Sequence, residues 1–540
     1  MTSPQGACRL AALLLAMAGA QAQEALPGFA ELEAAGTRIG EIRVRTRQIF
    51  DTEDPKEDKL LFRWANALHI MTRPGVIEEA LLFRTGDPVS VPVIEETERV
   101  LRSNRYLYDV TIRPLAVHDG VVDIEVETRD TWTLDPGISA GRSGGANTGG
   151  IQLQDYNFLG SGVAVGIGHS RGVDRSSNEF SIANERAFGG WTALSYSLSQ
   201  NSDGRRDEAS VAHPFYALDS RWGAGVKGLR DRRLDPVYVA GEQVAEYRHD
   251  ERGAEVWGGW SSGRESGWVQ RFSGGLNLQD DRYRNEPGLV APAALPADEK
   301  QAGPFFRYEL IEDRYEKLQN RNLIARPEFF ALGLQALVQL GWGAQALGST
   351  RDTLLYKGSV SRGFEPFDGD TLVAAASLQG QVAGGRVRRH RSSLSLQYYL
   401  PQGPHWLFYA SAAGDWLINP DIADRLQLGG DNGLRGYPLR YQNGYRRALF
   451  TIEERAFSDI YLWRLFRLGA AAFVDVGRAW GGDLPNPQAP GWLSNAGLGL
   501  RIESVRSAFG NVLHLDVATP INAPAGIKHV QFLVKTKTSF

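Results

Sequence analysis

From Trp132 onward, apolar and polar residues alternate in short runs parted by Gly, Asp, Asn and Pro. Thr192, Leu194, Tyr196 and Leu198 interleave with Ala193, Ser195, Ser197 and Ser199. Leu394, Leu396, Tyr398 and Leu400 interleave with Ser393, Ser395, Gln397 and Tyr399, and Trp406, Phe408 and Ala410 with His405, Tyr409 and Ser411. A period of two sends successive side chains to opposite faces of a strand. A soluble sandwich alternates as well. Here, however, aromatics gather near the ends of the apolar faces, and the runs approach the roughly 9–11 residues that a tilted strand needs to cross a bilayer. The pattern therefore predicts transmembrane β-strands over residues 131–540. Its last run sets Val530, Phe532, Val534, Thr536, Thr538 and Phe540 on one face. His529, Gln531, Lys535, Lys537 and Ser539 lie opposite, with Leu533 as the one apolar exception. The uncharged stretch Phe329 to Thr350 is long enough for a spanning helix, but Gln335, Gln339 and Gln345 favour strands with a turn.

Before residue 131 the pattern is different. Ile42 and Val44 alternate with Arg43 and Arg45, which predicts a strand. Residues 51–59 are charged and loop-like. Leu60 to Ile70 suits a short helix, and Arg73 to Phe83 and Pro92 to Ser103 carry apolar residues at helical spacing. Two strands follow, Tyr108 to Pro114 and Val121 to Glu127, turned by His118-Asp119-Gly120. The result is an α+β module over residues 36–130.

Composition supports an exported membrane protein. Arg9, the apolar run Leu10 to Ala20 and Ala20-Gln21-Ala22 form an export signal ending at residue 22. Residues 23–35 read as a linker. The only cysteine, Cys8, precedes the apolar run, so neither lipidation nor a disulfide is expected. Gly is 61 of 540 residues, against an average near 7%. Mean hydropathy is −0.29, too low for a bundle of spanning helices. The formal charge of −4 and the lack of a Lys/Arg tract argue against nucleic acid as a partner.

One stretch stands apart: Leu428-Gly429-Gly430-Asp431-Asn432-Gly433-Leu434-Arg435-Gly436-Tyr437-Pro438. Its glycines permit backbone angles closed to other residues, and it presents one long cation, Arg435. By itself it also suits a surface turn. The two runs that follow change the picture. In Ala448–Ala456, Phe450 and Ile452 take one face and Thr451, Glu453 and Arg455 the other. In Ala472–Trp480, Val474 and Val476 alternate with Phe473, Asp475 and Gly477. Glu453 and Asp475 are thus expected on the inward faces of neighbouring wall strands. A carboxylate there needs a partner, and an arginine fork binds carboxylates through two parallel hydrogen bonds. The candidate constellation is Leu434, Arg435, Gly436 and Tyr437 with Glu453 and Asp475, holding the loop 418–445 inside the barrel.

Together, Leu434-Arg435-Gly436-Tyr437, Glu453-x-Arg455 and Phe473-x-Asp475-x-Gly477 resemble the barrel of the BamA/TamA and two-partner-secretion transporter superfamily. Asp155-Tyr156-Asn157-Phe158-Leu159-Gly160-Ser161-Gly162 and Asp516-Val517-Ala518-Thr519-Pro520 match it as well, and Phe540 resembles its C-terminal barrel signal. The strand–helix–helix–strand–strand order before residue 131 resembles a POTRA domain with an insertion at 49–71. The resemblance implies a 16-stranded barrel in the bacterial outer membrane, with the POTRA-like domain in the periplasm. Five strand-like runs follow the loop, as 16 strands require, but more than the corresponding eleven precede it. The implied function is assembly or translocation of polypeptides at a seam between the first and last strands. The expected partners are outer-membrane lipid, unfolded outer-membrane or secreted clients, and accessory periplasmic proteins. The alternative is a passive pore or a surface receptor.

No enzyme, cofactor or metal is expected. Gly168-His169-Ser170-Arg171-Gly172 fits the G-x-S-x-G pattern, but that elbow needs a helix after the serine, and Asp174 to Ile182 reads as turn then strand. The nine histidines lack paired metal-ligand spacing. Glu453 and Asp475 could form an acid/base pair, but an arginine fixed nearby would keep both ionised.

Overall fold

The computed structural model describes residues 26–143, 146–239, 242–421, 424–482, 491–507, 512–523 and 526–537. The export signal and Phe540 lie outside the described residues.

The N-terminal module is a three-stranded sheet covered by helices. Strands β1 (Arg38–Arg47), β2 (Leu107–His118) and β3 (Val121–Asp130) lie in the order β1-β3-β2, with β1 parallel and β2 antiparallel to the central β3. A parallel pair needs a crossover, and the segment between β1 and β2 supplies it. That segment carries α2 (Leu60–Leu68), α3 (Pro74–Glu78) and α4 (Val91–Ser103). Asp119 and Gly120, both with positive φ, turn β2 into β3. Ile94 and Leu101 of α4 pack on Val110, Ile124 and Val126 of the sheet. Two expectations change. The helix over Arg73–Phe83 is only the five residues of α3, yet Ala80 and Phe83 are still buried, so their spacing serves the core without a continuous helix. Within the expected linker, α1 (Phe29–Ala34) buries Leu32 in the same core.

After the module, the described residues form one antiparallel ring of twenty strands: β4–β13 (Leu134 to Glu312), β16–β20 (Gln335 to Ile418) and β23–β27 (Arg446 to Lys537). The resemblance implied sixteen. Fifteen ring strands precede the loop at 419–445 and five follow it. Period-two patterning cannot tell a wall strand from an extramembrane hairpin, because only pairing decides whether a strand enters the ring. Around this wall the exposed large apolar residues include Val226, Val256, Trp260, Phe306, Leu340, Leu394, Phe450, Ile452, Leu498 and Phe532, a belt suited to lipid. Among the described residues no helix is long and apolar enough to cross a membrane.

The ring closes between β27 and β4. Strand β27 (Gln531–Lys537) pairs with β26 (Val512–Pro520) at every position from Gln531 to Lys537. Against β4 (Leu134–Ser143) it makes one register pair among the described residues, Val534 with Arg142.

The module sits at the ring's near mouth, where β4 begins. Arg506 and Arg129 both bond Glu57, and Arg264 pairs with Glu96 of α4 at 2.6 Å. Arg186 bonds Tyr106 and Asn104. The Asp155–Gly162 motif has its own task here. Asn157 Nδ2 donates to Thr72 Oγ1 at 2.7 Å, and Arg73 N–H donates to the Gly160 carbonyl. A Cβ on Gly160, whose φ is +69°, would lie 2.3 Å from the Met71 carbonyl oxygen. Only glycine lets the module backbone approach so closely.

Candidate functional site

Two segments enter the lumen, one from each mouth. From the far mouth comes the loop between β20 (Trp406–Ile418) and β23 (Arg446–Leu462). It is folded back on itself by the short strands β21 (Leu426–Leu428) and β22 (Gln442–Gly444), which pair in antiparallel register. Its tip is packed, not loose. Leu434 and Tyr437 are fully buried with Leu428, Tyr441, Ala479 and Leu493, and the Tyr437 hydroxyl reaches Asn522 and the Ser494 carbonyl. Gly433 (φ +131°) would clash with Leu449 if it carried a Cβ. A Cβ on Gly436 would sit 2.7 Å from that of Asn495. Arg440 pins the outer part of the loop through two 2.8 Å bonds to Asp174, in the far turn between β6 (Val163–Arg171) and β7 (Ser176–Ala187).

Arg435 lies at the centre. Its Nε and Nη2 donate to the two carboxylate oxygens of Asp475 at 2.9 and 2.8 Å, and Nη1 donates to Glu453 at 2.9 Å. Asp516 is 3.6 Å from Nη1. The guanidinium lies 3.3 Å over the centroid of Phe473, a cation–π contact that dehydration strengthens. All three charged groups are buried, with Arg435 only 6% exposed. Strand register explains the meeting. Strand β24 (Phe466–Trp480) pairs with β23 so that Thr451 faces Asp475 and Glu453 faces Phe473. Phe450, Ile452 and Val474 are exposed on the other face. Thr451 and Asn495 donate to Asp475 at 2.9 Å, and Arg455 Nε donates to Glu453 at 2.9 Å. Every carboxylate therefore has a cationic partner, which a buried ion group requires.

The second lumen segment, residues 313–334, enters from the near mouth. It is a hairpin of β14 (Tyr315–Gln319) and β15 (Pro327–Ala331). The Glu328 carboxylate accepts the amide hydrogens of Arg321, Asn322 and Leu323 and so shapes the tip. Ile324 is fully buried against Tyr399, Leu407, Tyr409, Phe457 and Ala471 of the wall. Its amide donates to Glu503, and Arg455 Nη1 donates to the Arg321 carbonyl at 2.9 Å. The two segments thus converge on one wall rung, with Asp475, Arg435, Glu453, Arg455 and Arg321 linked in sequence.

Sequence reasoning missed this hairpin altogether. Its one local signal is Gln319-Asn320-Arg321-Asn322, a polar turn with an apolar Ile324 beyond it. Phe473, as a surface for the guanidinium, and Asn495 and Thr451, as donors, also went unseen. Histidine spacing concealed a third group. His249, Glu251 and Asp281 bring ligand-type atoms within 4.8 Å of one another. Both His249 nitrogens already engage carboxylates, Asp235 at 2.8 Å and Asp281 at 3.0 Å, and Arg233 bonds Glu251 at 2.9 Å. The group reads as an ion-pair network. Ser170 lies in β6 and the next element is strand β7, so no nucleophile elbow is built around it.

A closed ring with an apolar outside, a charged lumen and an inward loop defines a membrane β-barrel. The chain belongs to the Omp85 superfamily, whose domain model matches residues 157–538. Similar solved structures include CdiB from Acinetobacter baumannii, at 14% identity and TM-score 0.46, covering 93% of this chain and 73% of that one. CdiB from Escherichia coli has 14% identity and TM-score 0.46, covering 92% and 76%. BamA from Haemophilus ducreyi lacking POTRA domains 1–3 has 13% identity and TM-score 0.40, covering 92% and 85%. Comparison with curated protein sequences gives no match.

Proposed function

We propose that this outer-membrane barrel inserts or translocates polypeptides through the seam between β4 and β27, with residues 36–130 as a POTRA-like periplasmic module. Membership of the Omp85 superfamily supports polypeptide clients in general terms. The observation that carries the reading is the seam itself: one register pair among the described residues, in a ring whose other strands pair along their lengths. Backbone groups left unpaired in lipid are costly, so an opening seam accepts an incoming strand. The module presents β2 as a sheet edge to which a client strand can add, whereas residues 85–89 already bond the start of β1. Arg435, clamped by Glu453 and Asp475, holds the loop against β23 and β24, on the β27 side of the ring, and the hairpin 313–334 braces the same rung from below. A lumen occupied from both ends supports this reading over a passive open pore.

The test is site-specific photocrosslinking from Asp109 on β2 in growing cells. Capture of nascent barrel or secreted chains, lost when the seam is locked, is the expected result. No client adduct, together with a steady open conductance unaffected by Arg435→Ala, would establish a pore instead.

A further inference from the structure

Helix α2 turns its apolar side outward. Leu60, Leu61, Trp64 and Leu68 are each between 62 and 73% exposed. At about 100° per residue they share an arc of roughly 100°. The opposite side secures the helix. Phe62 is buried and stacks on Phe50 with ring centroids 4.0 Å apart. Asn66 and Phe50 exchange two hydrogen bonds, from Phe50 N–H to Asn66 Oδ1 and from Asn66 Nδ2 to the Phe50 carbonyl. Arg63, on the flank, forks onto Asp58 through two 2.6 Å bonds. An ordinary surface helix buries its apolar stripe. This one is held by an aromatic stack and an amide while the stripe stays outside.

Its position says what covers that stripe. Phe50 and Phe62 pack with Trp132 and Leu465. Trp132 stands two residues before β4, and Leu465 lies in the turn between β23 and β24, at the near rim of the barrel. In the same turn region Trp463 is exposed, as is Ile460 at the end of β23. The buried side of α2 therefore holds the helix at the near rim of the lipid-facing belt, with its apolar stripe turned away from these contacts.

We propose that α2 is an interfacial anchor. It lies in the leaflet nearest the module, with Leu60, Leu61, Trp64 and Leu68 at the boundary between headgroups and acyl chains. Tryptophan favours that boundary, and amphipathic helices lie along it. The segment 49–71 then fastens the module to the membrane beside β4, one side of the seam. The occupant is lipid, and the assignment holds whether or not the barrel moves polypeptides.

The test uses the intact barrel with Cys8→Ser and single cysteines introduced as Leu61→Cys, Leu68→Cys or Arg63→Cys. Each is labelled with an environment-sensitive nitrobenzoxadiazole dye. The targeted side chains are exposed, and heat-modifiable gel mobility verifies folding. The protein is reconstituted in phosphatidylethanolamine–phosphatidylglycerol vesicles with or without dibrominated acyl chains. Brominated lipid should lower emission from positions 61 and 68 at least threefold, and from position 63 by less than half as much. Equal emission with and without bromine at 61 and 68 overturns the proposal. Shielding from soluble iodide without quenching by bromine also overturns it, and assigns the face to a protein partner or a second copy.

Discussion

Arg435 is a buried cation with three hydrogen bonds to two carboxylates, and substitutions there should show strong coupling. Arg435→Ala leaves Glu453 and Asp475 short of a partner and should destabilise the barrel by about 3–5 kcal/mol. Asp475→Ala should cost a similar amount. The double variant should cost less than the sum by roughly 0.5–3 kcal/mol, because the partners act as one unit. Thermal midpoints from gel mobility of the folded barrel check this, and strict additivity would mean the pair does not interact. Gly436→Ala probes position without touching charge. Its methyl would lie 2.7 Å from the Asn495 Cβ, so the tip must lift. Faster tryptic cleavage after Arg440 is the expected readout. At this scale the facing of Glu453 and Asp475 was legible, since alternation is local. The stacking of Arg435 on Phe473 was not, because rotamers follow from packing with strands far along the chain.

Among the elements, the hairpin 313–334 and the seam make separable predictions. Ile324→Ala empties a fully buried site in the lumen and should cost about 2–5 kcal/mol. The hairpin should loosen, seen as protease cleavage after Arg326 and a rise in single-channel conductance, while the loop stays protected. At the seam, cysteines introduced as Arg142→Cys and Val534→Cys occupy the one position paired between β27 and β4 among the described residues. Antiparallel partners lie about 4.5–5.5 Å apart, within the range a disulfide spans. Oxidation should lock the seam and stop client passage, and a reductant should restore it. Unchanged transport by the locked barrel would exclude a seam route. The hairpin escaped sequence reading because its tip residues look like any polar turn. Its meaning lies in the wall residues Tyr399, Leu407 and Phe457, which are remote in sequence.

For the whole molecule, the module and barrel are joined by paired side chains as well as by the chain between them. Glu57 receives both Arg129 of the module and Arg506 of the barrel, so Glu57→Gln should weaken docking. Faster hydrogen exchange in residues 49–71 and at Arg506, with barrel strands unchanged, would record it. The sequence by itself determined that the runs after residue 131 alternate as wall strands, which faces of Ala448–Ala456 and Ala472–Trp480 carry the inward carboxylates, and that residues 36–130 read as an α+β unit. A period of two or of 3.6 is written within a few residues and needs no partner. Tertiary structure alone decided that twenty strands close the ring, that a second segment enters the lumen, and that α2 points its leucines outward. Each of these depends on which distant strand or side chain supplies the other half of a contact, and no local pattern encodes that choice.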